Sequence, residues 1–323
     1  MNYTEFIEQM YATGIVPVIK LENTDNAVKL AKALMDGGIA CAEVTFRAAG
    51  ADKVIKAMTE AYPDMLVGAG TVLDTDQVDK SIKAGAKFCV APGLNPKVVK
   101  HCLDQGVPFV PGVANGSQIE QAMDFGLNFV KFFPAEQAGG LNYIKAVSAP
   151  YGNMLFMPTG GVNENNLNNY LAHPKVVCCG GSWIVPDNLV REEKWEEITA
   201  LCKKAVNKML GFELAHVGIN CNSEEEAVGG ANVLKEMFGF ERKEGNSSVF
   251  ADSFVEFMKA PYKGANGHIA IATNSVKRAV AVMKKRGFEV DESTLKTDAK
   301  GNMIAVYFKQ TVGGFALHLV QKK

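Results

Sequence analysis

Eight short apolar runs, each followed by a polar or helix-period stretch, fill roughly the first 210 residues, and few folds accommodate that alternation. The runs are residues 16–19, 42–46, 66–72, 88–92, 108–113, 129–133, 155–159 and 176–180. They are almost continuously apolar, as expected of parallel strands covered on both faces. Segments of helical spacing lie between them, at 26–35, 54–61, 75–84, 96–105 and 117–125. Eight β-then-α units of this size fit a (β/α)8 TIM barrel, with an open doubly wound sheet as the runner-up. A longer amphipathic helix, about 192–210, closes this part and ends at Gly211, a suitable C-cap.

Beyond Gly211 the pattern changes to an internal repeat. His216-Val217-Gly218-Ile219-Asn220-Cys221-Asn222-Ser223 matches His268-Ile269-Ala270-Ile271-Ala272-Thr273-Asn274-Ser275 at one constant offset of 52 residues (216 to 268, 222 to 274, 223 to 275). Each copy enters a helix, reaches Gly-Phe-Glu (Gly239-Phe240-Glu241 and Gly287-Phe288-Glu289) and runs on into strands, so each reads β-α-β-β-β. The expected organisation is an α/β barrel over 1–212, then an α+β domain of paired βαβββ modules over 213–323.

The charge balance, Lys+Arg 34 against Asp+Glu 35, offers no basic excess for a nucleic-acid backbone or an anionic membrane. No apolar run approaches the roughly 20 residues needed to span a bilayer. The acidic start, Met1-Asn2-Tyr3-Thr4-Glu5, leads into an amphipathic stretch and does not read as a secretory signal. The seven cysteines follow no CxxC spacing, and Cys178-Cys179 lies in an apolar run. They read as buried, reduced thiols of a cytoplasmic protein.

In a barrel the chemistry sits where strands end. The most informative residue is Lys131, inside Phe129-Val130-Lys131-Phe132-Phe133-Pro134. Desolvation favours the uncharged amine, and a free amine in a barrel mouth can form a Schiff base with a ketone; the plain alternative is a strand-end lysine that snorkels to water. Glu43, in a similarly apolar strand, suits proton transfer or an ion pair with Arg47 or Lys131. Arg47 offers a planar guanidinium for a carboxylate, with Thr71 as a second donor. Gly160-Gly161 and Gly180-Gly181-Ser182 end the seventh and eighth runs, where barrels commonly bind phosphate through backbone N–H groups.

Residues 1–212 resemble the 2-keto-3-deoxy-6-phosphogluconate (KDPG) / 4-hydroxy-2-oxoglutarate (KHG) aldolase family. The matching stretches are Glu43-Val44-Thr45-Phe46-Arg47, Val67-Gly68-Ala69-Gly70-Thr71-Val72-Leu73, Ala91-Pro92-Gly93, Lys131-Phe132-Phe133-Pro134-Ala135-Glu136, Pro158-Thr159-Gly160-Gly161-Val162 and Gly180-Gly181-Ser182-Trp183, in family order. The resemblance implies a class I, metal-independent aldolase acting on small 2-keto acids. It assigns Lys131 as the Schiff-base lysine and Glu43 as general acid/base. Arg47 and Thr71 would hold the pyruvate carboxylate, and Pro92 and Phe133 would line the pocket. Thr159, Gly160, Gly161, Gly181 and Ser182 would take distal hydroxyls and phosphate. Lys20 stands where some relatives carry an arginine that reaches phosphate, and Gly112-Val113-Ala114-Asn115 departs from the serine or threonine common in that loop. The family is typically a cytoplasmic trimer. A related 2-keto-3-deoxy sugar acid, such as the 6-phosphogalactonate epimer, is the alternative substrate.

The repeated half resembles the glyoxalase / vicinal-oxygen-chelate superfamily. That resemblance implies one metal ligand from the first and one from the last strand of each module. Here these are His216 and Glu256, then His268 and His318, a set suited to a divalent Zn, Ni, Mn, Fe or Co ion. His318 departs from the glutamate more usual at the last position. A purely structural second domain is the competing expectation.

Overall fold

In a computed structural model, described over residues 1–322, the chain divides into two compact units, Met1–Met209 and Leu210 onward. The sequence boundary at 212/213 falls a few residues later.

The first unit alternates as expected: α1 (Tyr3–Thr13), β1 (Ile15–Ile19), α2 (Ala27–Asp36), β2 (Cys41–Thr45), α3 (Ala51–Ala61), β3 (Leu66–Gly70), α4 (Thr75–Lys83), β4 (Cys89–Val90), α5 (Pro96–Asp104), β5 (Phe109–Val110), β6 (Gly112–Val113), α6 (Gly116–Asp124), β7 (Phe129–Phe132), α7 (Gly140–Val147), β8 (Leu155–Pro158), α8 (Leu167–Leu171), β9 (Cys179–Gly181), α9 (Asp187–Arg191) and α10 (Trp195–Leu210). All strand pairs here are parallel, in the orders β5-β4-β3-β2-β1-β9 and β6-β7-β8. Two seams join these sheets into a ring. β5 and β6 are one strand interrupted at Pro111, which has no N–H to give but accepts from Lys131 N at 2.9 Å. β8 meets the β9 segment through the parallel bridges Phe156–Val176 and Thr159–Gly180. The eight runs thus form a closed (β/α)8 barrel.

The amphipathic start of the chain becomes α1, capped by Asn2 with a reciprocal bond from Glu5. It buries Phe6 and Met10 and sets Phe6 against Phe88 and Phe129, ring centroids 5.3 and 6.1 Å apart. Phe88 and Phe129 lie at strand starts, so α1 covers the N-terminal end of the barrel. The C-terminal strand ends, where βα loops emerge, are left for the site.

One boundary needs correction. The closing helix begins at Trp195, not near 192, because Glu193 takes a left-handed φ of 53° and separates α9 from α10. All seven cysteines are buried and unbridged. No helix among the described residues is long and apolar enough to cross a membrane.

The second unit holds β10 (Glu213–Asn220), α11 (Glu224–Phe238), β11 (Arg242–Glu244), β12 (Ser248–Ala251) and β13 (Val255–Met258), then β14 (Gly267–Thr273), α12 (Val276–Lys285), β15 (Val290–Thr297), β16 (Met303–Val312) and β17 (Phe315–Gln321). Both halves are βαβββ, as the repeat implied. They form one mixed sheet, β11-β12-β13-β10-β14-β17-β16-β15. In each module the first strand pairs in parallel with the last, β10 with β13 and β14 with β17. The modules meet along antiparallel β10 and β14, with His216 opposite Ala270 and Gly218 opposite His268. Gly218 and Ala270 are equivalent in the repeat, so this register is what a local twofold axis between the copies produces.

Candidate active site and histidine cluster

Lys131 and Glu43 come from β7 and β2, which are not neighbours in the ring, yet their side chains meet. Lys131 Nζ lies 3.0 Å from Glu43 Oε1, with 5% and 0% of the two residues exposed. Burial of either charge alone is costly, so each is the other's compensation. The second carboxylate oxygen, Oε2, is buried without a hydrogen-bond partner among the described residues. Gly70, on the strand beside β2, makes the room: a Cβ there would fall 2.5 Å from Glu43 Oε1. Phe133 places its ring 5.5 Å from the ammonium. The arrangement puts an amine and a carboxylate in contact inside an apolar cylinder, a pairing chemically suited to nucleophilic attack and proton transfer.

The remaining expected residues surround this pair on the strand-end loops. Thr45, buried, donates to Ile19 O at 2.8 Å and accepts from Arg47 Nε at 3.2 Å, which orients the exposed guanidinium. Thr71 sits just after β3 with φ 54°, a strained conformation for a β-branched residue. Pro92 is half-buried, its carbonyl so close to Gly112 that a Cβ there would lie 2.1 Å away. Thr159 is buried, and Gly180 is required beside it because a Cβ would fall 2.3 Å from Thr159 Oγ1. Gly160 and Gly161 both take left-handed φ, 96° and 81°. Gly181 is buried against Trp183, and Ser182 is exposed. Lys20 is drawn aside: its ammonium pairs with Glu22 at 2.6 Å, on a depression shared with Asn26, Asp187 and Arg191.

In the second unit the four repeat-defined residues converge. His216 Nε2, His268 Nε2 and Glu256 Oε2 form a triangle with sides 3.1, 3.0 and 3.2 Å. His318 approaches the other two imidazoles: one donor atom from each of the three lies within 4.8 Å of the others. Among the described residues, buried His318 has neither ring nitrogen hydrogen-bonded, and His268 Nδ1 likewise has no hydrogen-bond partner. Burial, with His268 and His216 alongside, pushes His318 down to about 3. Burial alone would raise Glu256, but hydrogen bonds from His216, His268 and Ser248 outweigh it and hold the carboxyl well below its usual range.

Two contributors escaped the reading of the sequence. Ser248 donates to Glu256 Oε1 at 2.6 Å from across the β12–β13 ladder, and Tyr307 stacks on His318 at 4.5 Å. Strand register brings them to the cluster, with Tyr307 directly opposite His318, and the continuous apolar run Met303–Phe308 gives no periodicity that would single out Tyr307.

The family model of KDPG and KHG aldolases matches residues 6–201. The 2-dehydro-3-deoxy-phosphogluconate aldolase of Treponema pallidum is 46% identical over 199 residues, covering 62% of this chain and 95% of that protein. The aldolase of the same name from Haemophilus influenzae is 44% identical over 209 residues, 64% of this chain and 99% of that one. A crystal structure of KDPG aldolase from Legionella pneumophila, with pyruvate captured as a covalent carbinolamine, matches with a TM-score of 0.60 and 38% identity, covering 62% of this chain and 97% of that one. The buried lysine–glutamate pair at the strand ends and a family match over more than half the length agree: through its barrel the chain is a lyase that belongs to the KDPG and KHG aldolase family.

Proposed function

We propose that the barrel, residues 1–212, cleaves KDPG to pyruvate and glyceraldehyde 3-phosphate, KHG to pyruvate and glyoxylate, or both. The observation that carries this is the 3.0 Å contact between buried Lys131 and Glu43. Glu43 takes a proton from the ammonium, and the free amine of Lys131 attacks the C2 ketone. Glu43 returns that proton to the carbinolamine hydroxyl, which leaves as water, giving an iminium and a carboxylate ready to accept again. As Glu43 accepts the C4-hydroxyl proton, directly or through water, the C3–C4 bond breaks and its electron pair moves into the iminium, giving an enamine and an aldehyde. The enamine is protonated at C3, and hydrolysis returns pyruvate and Lys131. The iminium is the electron sink, so these steps use no metal. Arg47 and Thr71 hold the carboxylate, Pro92 and Phe133 wall the keto acid, and Thr159, Gly160, Gly161, Gly181 and Ser182 receive the distal end, with Lys20 at the rim. Assembly as a cytoplasmic homotrimer belongs to the same reading and is checked by analytical ultracentrifugation.

Borohydride reduction with pyruvate, followed by peptide mapping, tests the assignment. The adduct is expected on Lys131 and absent in Lys131→Met. An adduct elsewhere, or turnover by the variant, would sink it.

We also propose, for residues 213–323, a glyoxalase-like vicinal-oxygen-chelate domain holding a divalent metal through His216, Glu256, His268 and His318. Donors at 2.0–2.1 Å from a tetrahedral ion lie about 3.3 Å from one another, close to the triangle of 3.0–3.2 Å. The bare nitrogens of buried His318 point to the same reading, since buried polar atoms are normally satisfied. Elemental analysis should find about one metal per chain, lost in His268→Ala. A metal-free wild type unaffected by added divalent ions favours the structural alternative.

A further inference from the structure

The turn at Gly160-Gly161, between β8 and α8, is gripped from two sides. From the β7 side, Ala135 N–H donates to the Thr159 carbonyl at 2.8 Å and Glu136 N–H to the Gly160 carbonyl at 3.1 Å. The Glu136 side chain lies against Gly161, where a Cβ would fall 2.5 Å from Glu136 Cγ, and it accepts the Tyr170 hydroxyl. From the α8 side, the side-chain amides of Asn163 and Asn166 both donate to the Gly161 carbonyl, at 3.0 and 3.1 Å. Asn166 Oδ1 in turn accepts Asn163 N–H at 2.8 Å. Asn166 occupies the N-cap position of α8 but makes no capping bond; its side chain is turned back onto the turn.

A trans peptide carries its N–H and C=O on opposite sides. The Gly160 and Gly161 carbonyls are committed to Glu136 and the two asparagines. The N–H groups of Gly161 and Val162 are therefore directed the other way. Both glycines hold left-handed φ, 96° and 81°, which fixes the turn that presents these two donors. Lys20, the basic side chain at the rim, already neutralises Glu22. Arg191 lines the same depression and acts on the same carboxylate, which leaves the backbone pair as a receptor for the distal end of a substrate.

We infer that Asn163 and Asn166 are positioning residues that aim the Gly161 and Val162 N–H groups at a terminal phosphate, and so set the preference for phosphorylated over unphosphorylated 2-keto acids. This rests on the substrate reading above and adds to it the residues that select within that class. Neither asparagine touches the reacting carbons.

The test compares Asn163→Ala and Asn166→Ala with wild type on KDPG and on KHG, with borohydride-trapped pyruvate at Lys131 as a control for a folded site. The KM for KDPG is expected to rise about tenfold in Asn166→Ala, the effect of losing one hydrogen bond to the turn, while kcat is held. The ratio of kcat/KM for KDPG over KHG should fall by a similar factor, and trapping should proceed at the wild-type rate. An unchanged KM for KDPG, or an equal loss on both substrates, would overturn this inference alone. A wild type that traps pyruvate on Lys131 yet fails to cleave KDPG would overturn the substrate reading and this inference with it.

Discussion

Lys131 and Glu43 are opposite charges brought together from distant strands of one ring; each offsets the other's charge, and Glu43 Oε2 keeps no hydrogen-bond partner among the described residues. The second unit does something different. It gathers three imidazoles and a carboxylate from four strands of a duplicated module, and one imidazole is left with no partner at all. The ion pair is balanced in charge and still has one bare carboxylate oxygen to offer a proton donor. A cluster with bare imidazole nitrogens is incomplete, and that is the basis for proposing a cation there. The comparison teaches that burial alone does not define a site's chemistry; what each buried group lacks does.

The largest effect expected is on Lys131→Met, which removes the nucleophile. Cleavage should fall by about 10⁴-fold or more, while metal content is unchanged. Residual wild-type-like turnover would break the contrast at its root. Glu43→Gln keeps the shape but not the proton acceptor, and kcat should drop by about 10²- to 10⁴-fold. If borohydride trapping slows in step with cleavage, Glu43 serves iminium formation as well as bond breaking. On the other side, Ser248→Ala frees Glu256 from its 2.6 Å hydrogen bond. Metal affinity, read by competition with a chromophoric chelator, should weaken about 10- to 100-fold with no change in aldol cleavage.

The smallest effect is on stability in acid. His318 is pushed from an ordinary 6.5 down to about 3, so between those values the unfolded chain binds a proton that the folded one does not. Its contribution is full above pH 6.5 and is lost as pH falls toward 3. Glu256, also lowered, loses its contribution in acid below the usual carboxylate range. Hydrogen exchange across β10 and β14 in chelator-treated protein should therefore be faster at pH 5 than the intrinsic rate change accounts for. His318→Leu should flatten that dependence, and an unaltered one would show that His318 is not held neutral.

Much of this was legible in the residues. The eight apolar runs marked the ring, the 52-residue offset marked the twofold, and Lys131 and Glu43 stood out because charges in apolar strands need a reason. Other features depend on what lies across a strand or loop. Nothing in the spacing of Gly70 shows that Glu43 fills the space beside it, and Asn163 and Asn166 read as loop polarity until the Gly161 carbonyl lies between them. The break at Glu193 required a positive φ that its residue type does not advertise. Ser248 and Tyr307 became visible only with register.

The seam of β10 against β14 carries a consequence for ancestry. Each module brings two of the four clustered side chains, so one copy by itself holds half of the cluster and a bare strand edge beside it. A progenitor with a single module could have completed both only by docking against its own twin. Fusion of two such genes would then have made permanent, in one polypeptide, an embrace that once depended on concentration, and freed the halves to diverge into Glu256 on one side and His318 on the other.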